Sequence, residues 1–161
     1  MQTAYLALGS NLADRSRLLA DALEHLARSP GNRLTATSPV YETKAVGLAD
    51  QPDFLNLVAR LETDLTPHAL LDLCLAIEHR LGRVRRERWG PRTVDIDVLL
   101  LGDLTLSDER LTLPHPRMTE RAFVLVPLAD LAPDLPVNGL AVRDHLARLD
   151  RTGLRRFVPS A

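Results

Sequence analysis

The chain has 161 residues, 45% of them hydrophobic and 25% charged, with a net charge of −1 and one cysteine. That length suits a single domain, 1–161, with its own core, and the near-zero charge excludes a global electrostatic pull toward nucleic acid or a membrane surface. The lone Cys74 excludes an internal disulfide, and no apolar stretch approaches the ~20 residues of a membrane span, so the expected location is the cytoplasm.

Thr3–Leu8 reads as a short buried strand that ends at Gly9-Ser10-Asn11. Asn11 or Asp14 can cap the helix that follows, whose apolar residues Leu18, Leu19, Ala22, Leu23 and Leu26 keep helical spacing up to Pro30-Gly31. Residues 33–43 alternate as one second strand, and 44–53, with Gly47 and Pro52, read as a loop. Phe54–Thr63 is a third strand with Leu55, Leu57, Ala59 and Leu61 on one face. Thr66-Pro67 opens a second helix, with a hydroxyl at the cap and proline at the first helical position. Leu70, Leu71, Cys74, Ile77 and Leu81 form its apolar stripe, and Gly82 suits its C-terminus.

Residues 83–92 are too charged for a core and read as a second loop. Val94–Leu101 is a fourth strand, apolar enough to be expected in the middle of the sheet. A turn, a short strand or coil to Leu113 and the corner Pro114-His115-Pro116 follow. Helical pieces at Val124–Leu131 and Val142–Leu149 end the chain. The order predicts an α+β fold with a ferredoxin-like βαββαβ core. Its sheet is expected to be mostly antiparallel, with helices packed on its faces and two long active-site loops.

The chemistry concentrates in Gly82–Leu101. Arg83, Arg85, Arg86, Arg88 and Arg92 fall within ten residues. Guanidinium groups grip phosphate oxygens in bidentate fashion, and so dense a cluster repels itself until an anion arrives. Trp89-Gly90-Pro91 places an aromatic in this polar loop, suited to stacking on something flat. Asp95 and Asp97 lie two residues apart on a strand, so both leave one face, about 6.6 Å apart. A divalent cation offsets two such carboxylates well, and magnesium combines a few carboxylates with phosphate oxygens and water. Together these point to a metal–nucleotide site. The nucleotide cannot bind through a P-loop: the only lysine, Lys44, is followed by Ala45. His115, fixed between prolines and flanked by Arg110 and Arg121, is either a local hydrogen-bond partner or a phosphate donor. Thr43, Phe54 and Asn56 offer an aromatic face and polar groups for a flat heteroaromatic ring. Two other classes compete. A single-strand nucleic-acid module is opposed by the net charge and the aspartates, and a metal-dependent nuclease leaves Trp89, Thr43, Phe54 and Asn56 without a role.

Four segments carry a resemblance: YLALGSNLADR at 5–15, DQPDFLN at 50–56, GRVRRERWGPRTVDIDVLLLGD at 82–103, and RLTLPHPRM with ERAFVLVPL at 110–128. Over nearly its whole length the chain resembles the 6-hydroxymethyl-7,8-dihydropterin pyrophosphokinase family of folate biosynthesis. The resemblance implies transfer of the diphosphate of ATP to the pterin hydroxymethyl group, with release of AMP. It implies two Mg2+ ions on Asp95 and Asp97, with Arg83 and Arg92 on the reacting phosphates. ATP would be contacted by Leu71, Glu78, Arg85, Arg86, Arg88, Val98, Arg110, Thr112, His115 and Arg121. The pterin would be held by Thr43, Val46, Phe54, Asn56, Trp89 and Phe123, with the two phenylalanines sandwiching the ring. The partners implied are these two small molecules; no nucleic acid and no membrane are expected, and the chain is expected to be a monomer. The chain departs from many members at Lys44-Ala45, where two prolines are common, and at Phe54 and Pro116, where tyrosine is common.

Overall fold

The computed structural model describes residues 1–11, 14–43, 53–82 and 94–158. Its centre is an antiparallel pair, β1 (Gln2–Ser10) and β4 (Phe54–Thr63), in unbroken register from Gln2 opposite Thr63 to Ser10 opposite Leu55. Both strands are apolar on both sides because both faces of the sheet are covered. β5 (Asp95–Leu101) pairs with the other edge of β1. β2 (Asn32–Thr37) and β3 (Tyr41–Thr43) share the other edge of β4, and β10 (Leu154–Arg156) adds to β3. Every pairing in this six-stranded sheet is antiparallel, in the order β10-β3-β4-β1-β5 with β2 also on β4.

Helices cover both faces of this α+β fold. α1 (Arg15–Arg28) and α2 (Pro67–Gly82) lie on one side, where Leu19, Leu26, Leu70, Cys74 and Ile77 pack on Leu6, Leu8, Leu57, Leu61, Ile96 and Val98. α3 (Ala122–Leu131) and α4 (Val142–Leu146) lie on the other, where Val124, Leu125, Leu128 and Leu146 meet Tyr5, Val58, Leu99 and Leu100. Burying each such leucine stabilises the fold by roughly 1.5–3 kcal/mol. Thr66 caps α2 as expected: its Oγ1 accepts the Ala69 N–H at 3.2 Å. Asp14 holds the cap position of α1 without a side-chain cap bond.

The structure departs from the sequence reading at several points. The single strand expected over 33–43 is two, broken at Ser38-Pro39-Val40, because proline has no N–H to give to the ladder. Ser38 bridges the gap: its N–H donates to the Val58 carbonyl at 2.8 Å, and its Oγ accepts the Val58 N–H at 2.9 Å. β5, expected in the middle of the sheet, ends the strand order instead. Its apolar character comes from helices on both faces, and its outer edge receives the His115 N–H at the Leu99 carbonyl, 2.9 Å. A bulge shifts its register against Tyr5-Leu6, so Leu99 and Leu100 both join the α3 core. The last helix stops at Leu146, where bonds from Arg148 to His145 and from Leu149 to Leu146 tighten the chain into a turn. The segment leading to Leu113 is a small hairpin, β6 (Leu106–Ser107) with β7 (Thr112–Leu113). A second, β8 (Pro136–Val137) with β9 (Leu140–Ala141), turns at Asn138 and Gly139, both with positive φ.

Candidate functional site

Strand alternation aims Ile96 and Val98 into the α2 core and leaves Asp95 and Asp97 on the opposite face. Asp95 sits across from Gly9, Gly9 across from Asn56, and Asn56 across from Tyr41, so one row crosses four strands. Asp97 sits across from Ala7. The small residues at 7 and 9 keep the floor low between the aspartates and Asn56. A cavity of about 520 Å³ stands on this floor, lined by Ala7, Leu8, Gly9, Thr43, Phe54, Asn56, Leu57, Asp95, Asp97, Arg121, Phe123 and Val124. Asn56 is buried and its Nδ2 donates to Thr43 Oγ1 over a long 3.4 Å. The first turn of α3 supplies the far wall, with the Arg121 guanidinium 5.6 Å from the centroid of the Phe123 ring.

A second cavity, about 240 Å³, lies on the outer side of β5 between α2 and the β6–β7 turn. Leu71, Ile96 and Val98 make it apolar at one end, and Arg110, Thr112, His115 and Pro116 make it polar at the other. The turn is braced from below. Asp108 Oδ1 accepts the N–H groups of Arg110 and Leu111, each at 2.9 Å, which hold its carboxyl below the usual range. Asp108 Oδ2 meets His68 Nε2 at 2.7 Å, and Arg110 pairs with Asp72 at 2.5 Å. His115 is a local hydrogen-bond partner, the first of its two expected roles, and it also lines this cavity. Its Nδ1 accepts the Arg117 N–H at 3.2 Å, so the neutral ring carries its proton on Nε2. Burial holds its pKa below the ordinary imidazole value, helped by Arg121 and Arg117 and opposed by Asp97.

Asp97 lines both cavities. A third cavity of about 640 Å³, by Met1, Leu65, His68 and Leu104, is larger than either, yet it brings together none of the candidate residues; chemistry, not volume, distinguishes the first two. Thr43, Phe54, Asn56, Asp95, Asp97, Arg121 and Phe123 thus converge on one cavity, and Leu71, Asp97, Val98, Arg110, Thr112 and His115 on the next. Arg121, expected with the nucleotide group, lines the first cavity instead of the second. Glu78 lines neither cavity; its Oε2 accepts the Ile96 N–H at 2.7 Å and so holds the start of β5. Val46, Arg83, Arg85, Arg86, Arg88, Trp89 and Arg92 lie outside the described residues. Gly9 and Asp108 were not singled out by their chemistry, although Gly9 falls within the Gly-Ser-Asn end of the first strand.

Among the described residues no three histidine, cysteine or acidic side chains gather to hold a metal on protein donors alone. A pair of carboxylates on one strand face beside an open cavity fits magnesium completed by phosphate and water. Cys74 offers no nucleophile: burial, with Glu78 and Asp97 nearby, pushes its thiol up to about 12. No helix among the described residues is long and apolar enough to cross a membrane.

Residues 5–133 match the model of the 7,8-dihydro-6-hydroxymethylpterin-pyrophosphokinase (HPPK) family. The chain belongs to this family. A 2-amino-4-hydroxy-6-hydroxymethyldihydropteridine pyrophosphokinase of Methylorubrum extorquens is 55% identical over 156 residues, covering 97% of this chain and 99% of that one. Its counterpart in Pseudomonas aeruginosa is 50% identical over 158 residues, covering 98% of each. Among solved structures, a Plasmodium falciparum HPPK-DHPS shares the fold with a TM-score of 0.73 at 17% identity, over 97% of this chain. This chain spans 47% of that longer one. As a family member, the enzyme is an ATP-dependent pyrophosphokinase that acts on hydroxymethyl-dihydropterin.

Proposed function

We propose that the larger cavity holds the pterin, the smaller one the nucleotide, and that the diphosphate crosses between them at Asp97. The observation that carries this reading is that, among the described residues, Asp97 alone of the acidic side chains lines both. Phe54 and Phe123 supply flat apolar faces for the pterin ring, while the Asn56 amide and Thr43 hydroxyl face its polar edge. Leu71 and Val98 form an apolar wall for the adenine, and Thr112 and His115 Nε2–H donate toward the phosphates. Glu78 acts one step back, by fixing Ile96. Val46 and Trp89 are assigned to the pterin, and Arg85, Arg86 and Arg88 to ATP, by the resemblance; Arg83 and Arg92 are assigned by it to the reacting phosphates.

In the reaction the hydroxymethyl oxygen forms a bond to the β-phosphorus of ATP. The bond from that phosphorus to the α–β bridging oxygen breaks, the hydroxyl proton leaves, and AMP departs. Asp95 and Asp97 would hold two Mg2+ ions, which when bound neutralise charge on the attacking and leaving oxygens. Around them this chain's own residues position and charge-balance: the phenylalanines orient the pterin, and Arg121, beside Phe123, offsets developing negative charge. The strand order β5-β1-β4 with β2 and β3 beyond, and α1 and α2 on one face, also supports the ferredoxin-like reading of the core. Both cores share one sheet, which supports one domain.

Asp97→Ala tests the site. Asp97 is exposed, so the fold should stand. Turnover should fall by about a thousandfold, the equivalent of the several kcal/mol that metal-assisted charge neutralisation supplies. Activity within about tenfold of the parent contradicts the assignment.

A further inference from the structure

We infer that Arg15, Glu42, Asp53 and Arg155 form a charge clamp that sets the pterin affinity, by holding Thr43 and Phe54 in place from behind. The inference rests on the assignment of the larger cavity to the pterin. Thr43 and Phe54 both line that cavity and sit opposite each other at the open ends of β3 and β4. Each is joined directly to an acidic residue of the clamp, Glu42 before Thr43 and Asp53 before Phe54. Among the described residues the β3–β4 ladder ends at the Thr43–Phe54 pair.

The clamp closes as a ring. Glu42 accepts from Arg15 at 2.5 Å and from Arg155 at 2.8 Å. Arg155 reaches on to Asp53 at 3.1 Å, and Arg15 completes the circuit by donating to the Asp53 backbone carbonyl. Two distant parts of the chain are needed to build it. Arg15 opens α1, and Arg155 sits on β10 directly across from Glu42. Phe157 secures both: its N–H donates to the Val40 carbonyl at 2.8 Å, and the Arg15 guanidinium lies 5.5 Å from its ring centroid. Glu42 is 13% exposed and Arg15 21%, so this part of the ring is shielded from solvent, unlike an ordinary surface pair. A net of two guanidinium groups and two carboxylates is also geometrically specific, since each planar fork fixes the direction of its partners.

Neither arginine touches the cavity, so both are positioning residues. Loosening the clamp lets Thr43 and Phe54 move apart, which costs pterin binding more than it costs the chemical step or the nucleotide. The test is steady-state kinetics of Arg155→Ala, with Arg155→Lys and Asp53→Asn beside it, alongside thermal melting. Arg155→Ala should raise the KM for the pterin about fivefold, with kcat and the KM for ATP within about twofold, the scale of a partly shielded ion pair. Arg155→Lys should restore most of the loss, because one charge-assisted bond survives. Asp53→Asn, which takes the charge from the Arg155–Asp53 contact and leaves the Glu42 pairs in place, should give a smaller rise in the same constant. An unchanged pterin KM overturns the inference, as does an equal rise in both KM values or a lysine variant no better than alanine. Phe54→Ala separates the two layers. If it leaves the pterin KM unchanged, the cavity assignment fails; if it raises that KM and Arg155→Ala does not, only the clamp fails.

Discussion

No Cβ fits on Gly9 without moving Asn56: an added methyl would lie 2.7 Å from Asn56 Oδ1. The two residues face each other across β1 and β4, and Asp95 flanks Gly9 on its other side. The amide and the carboxylates can share one floor because the residue between them has no side chain.

Gly9→Ala should therefore damage the site more than the fold. Asn56 is short and buried, so its amide cannot swing clear without leaving Thr43. Overpacking of this kind destabilises by about 1–3 kcal/mol. If Asn56 reads the pterin edge as proposed, displacing its amide should weaken pterin binding by roughly tenfold or more, the value of one misplaced polar contact. Equilibrium titration with the pterin, read alongside thermal melting, checks both. Parental pterin affinity in a folded variant contradicts the role given to the Gly9–Asn56 contact.

His115 predicts a pH dependence of stability. The unfolded chain protonates this imidazole near its ordinary value of 6.5, whereas the folded protein does so only at lower pH. Between the two values the unfolded state binds more protons, so stability is full above pH 6.5 and falls as pH drops below it. The loss levels off once the folded group also titrates. Urea unfolding without ligands at pH 7.5 and pH 5.5 should show a smaller acid loss in His115→Asn than in the parent. Equal losses in both contradict the burial of a neutral ring.

Cys74 should be chemically silent. Its thiol is buried and pushed up to about 12, so almost no thiolate exists at neutral pH. An aromatic disulfide reagent at pH 8 should modify it only as fast as the protein opens, and promptly in urea. Immediate stoichiometric labelling of the native enzyme contradicts this packing.

Legibility differed from element to element. β1, β4 and α2 could be read because apolar periodicity, the Thr66-Pro67 start and the strand lengths all agree. Asn138-Gly139 carried a hairpin signal, but its flanking strands are only two residues each, too short to show alternation. β10 was not legible: Leu154-Arg155-Arg156 has no apolar pattern, and it becomes a strand only because β3 offers an edge. The position of β5 is not legible because its apolar residues report that both faces are covered, here by helices, and carry no information on whether both edges are paired. Of the site, the paired aspartates and the cluster Thr43, Phe54 and Asn56 followed from residue chemistry. Gly9 and the clamp of Arg15, Glu42, Asp53 and Arg155 did not, because they depend on contacts between residues far apart in the chain.

The most direct test of the account is the identity of the nucleotide product. With Mg2+, ATP and 6-hydroxymethyl-7,8-dihydropterin, each turnover should release one AMP and one diphosphorylated pterin, because attack at the β-phosphorus leaves only the α-phosphate on the nucleoside. Chromatography of the quenched reaction reads both at once. AMP in step with the pterin product is the predicted result, and ADP in its place would contradict the transfer assigned to this site.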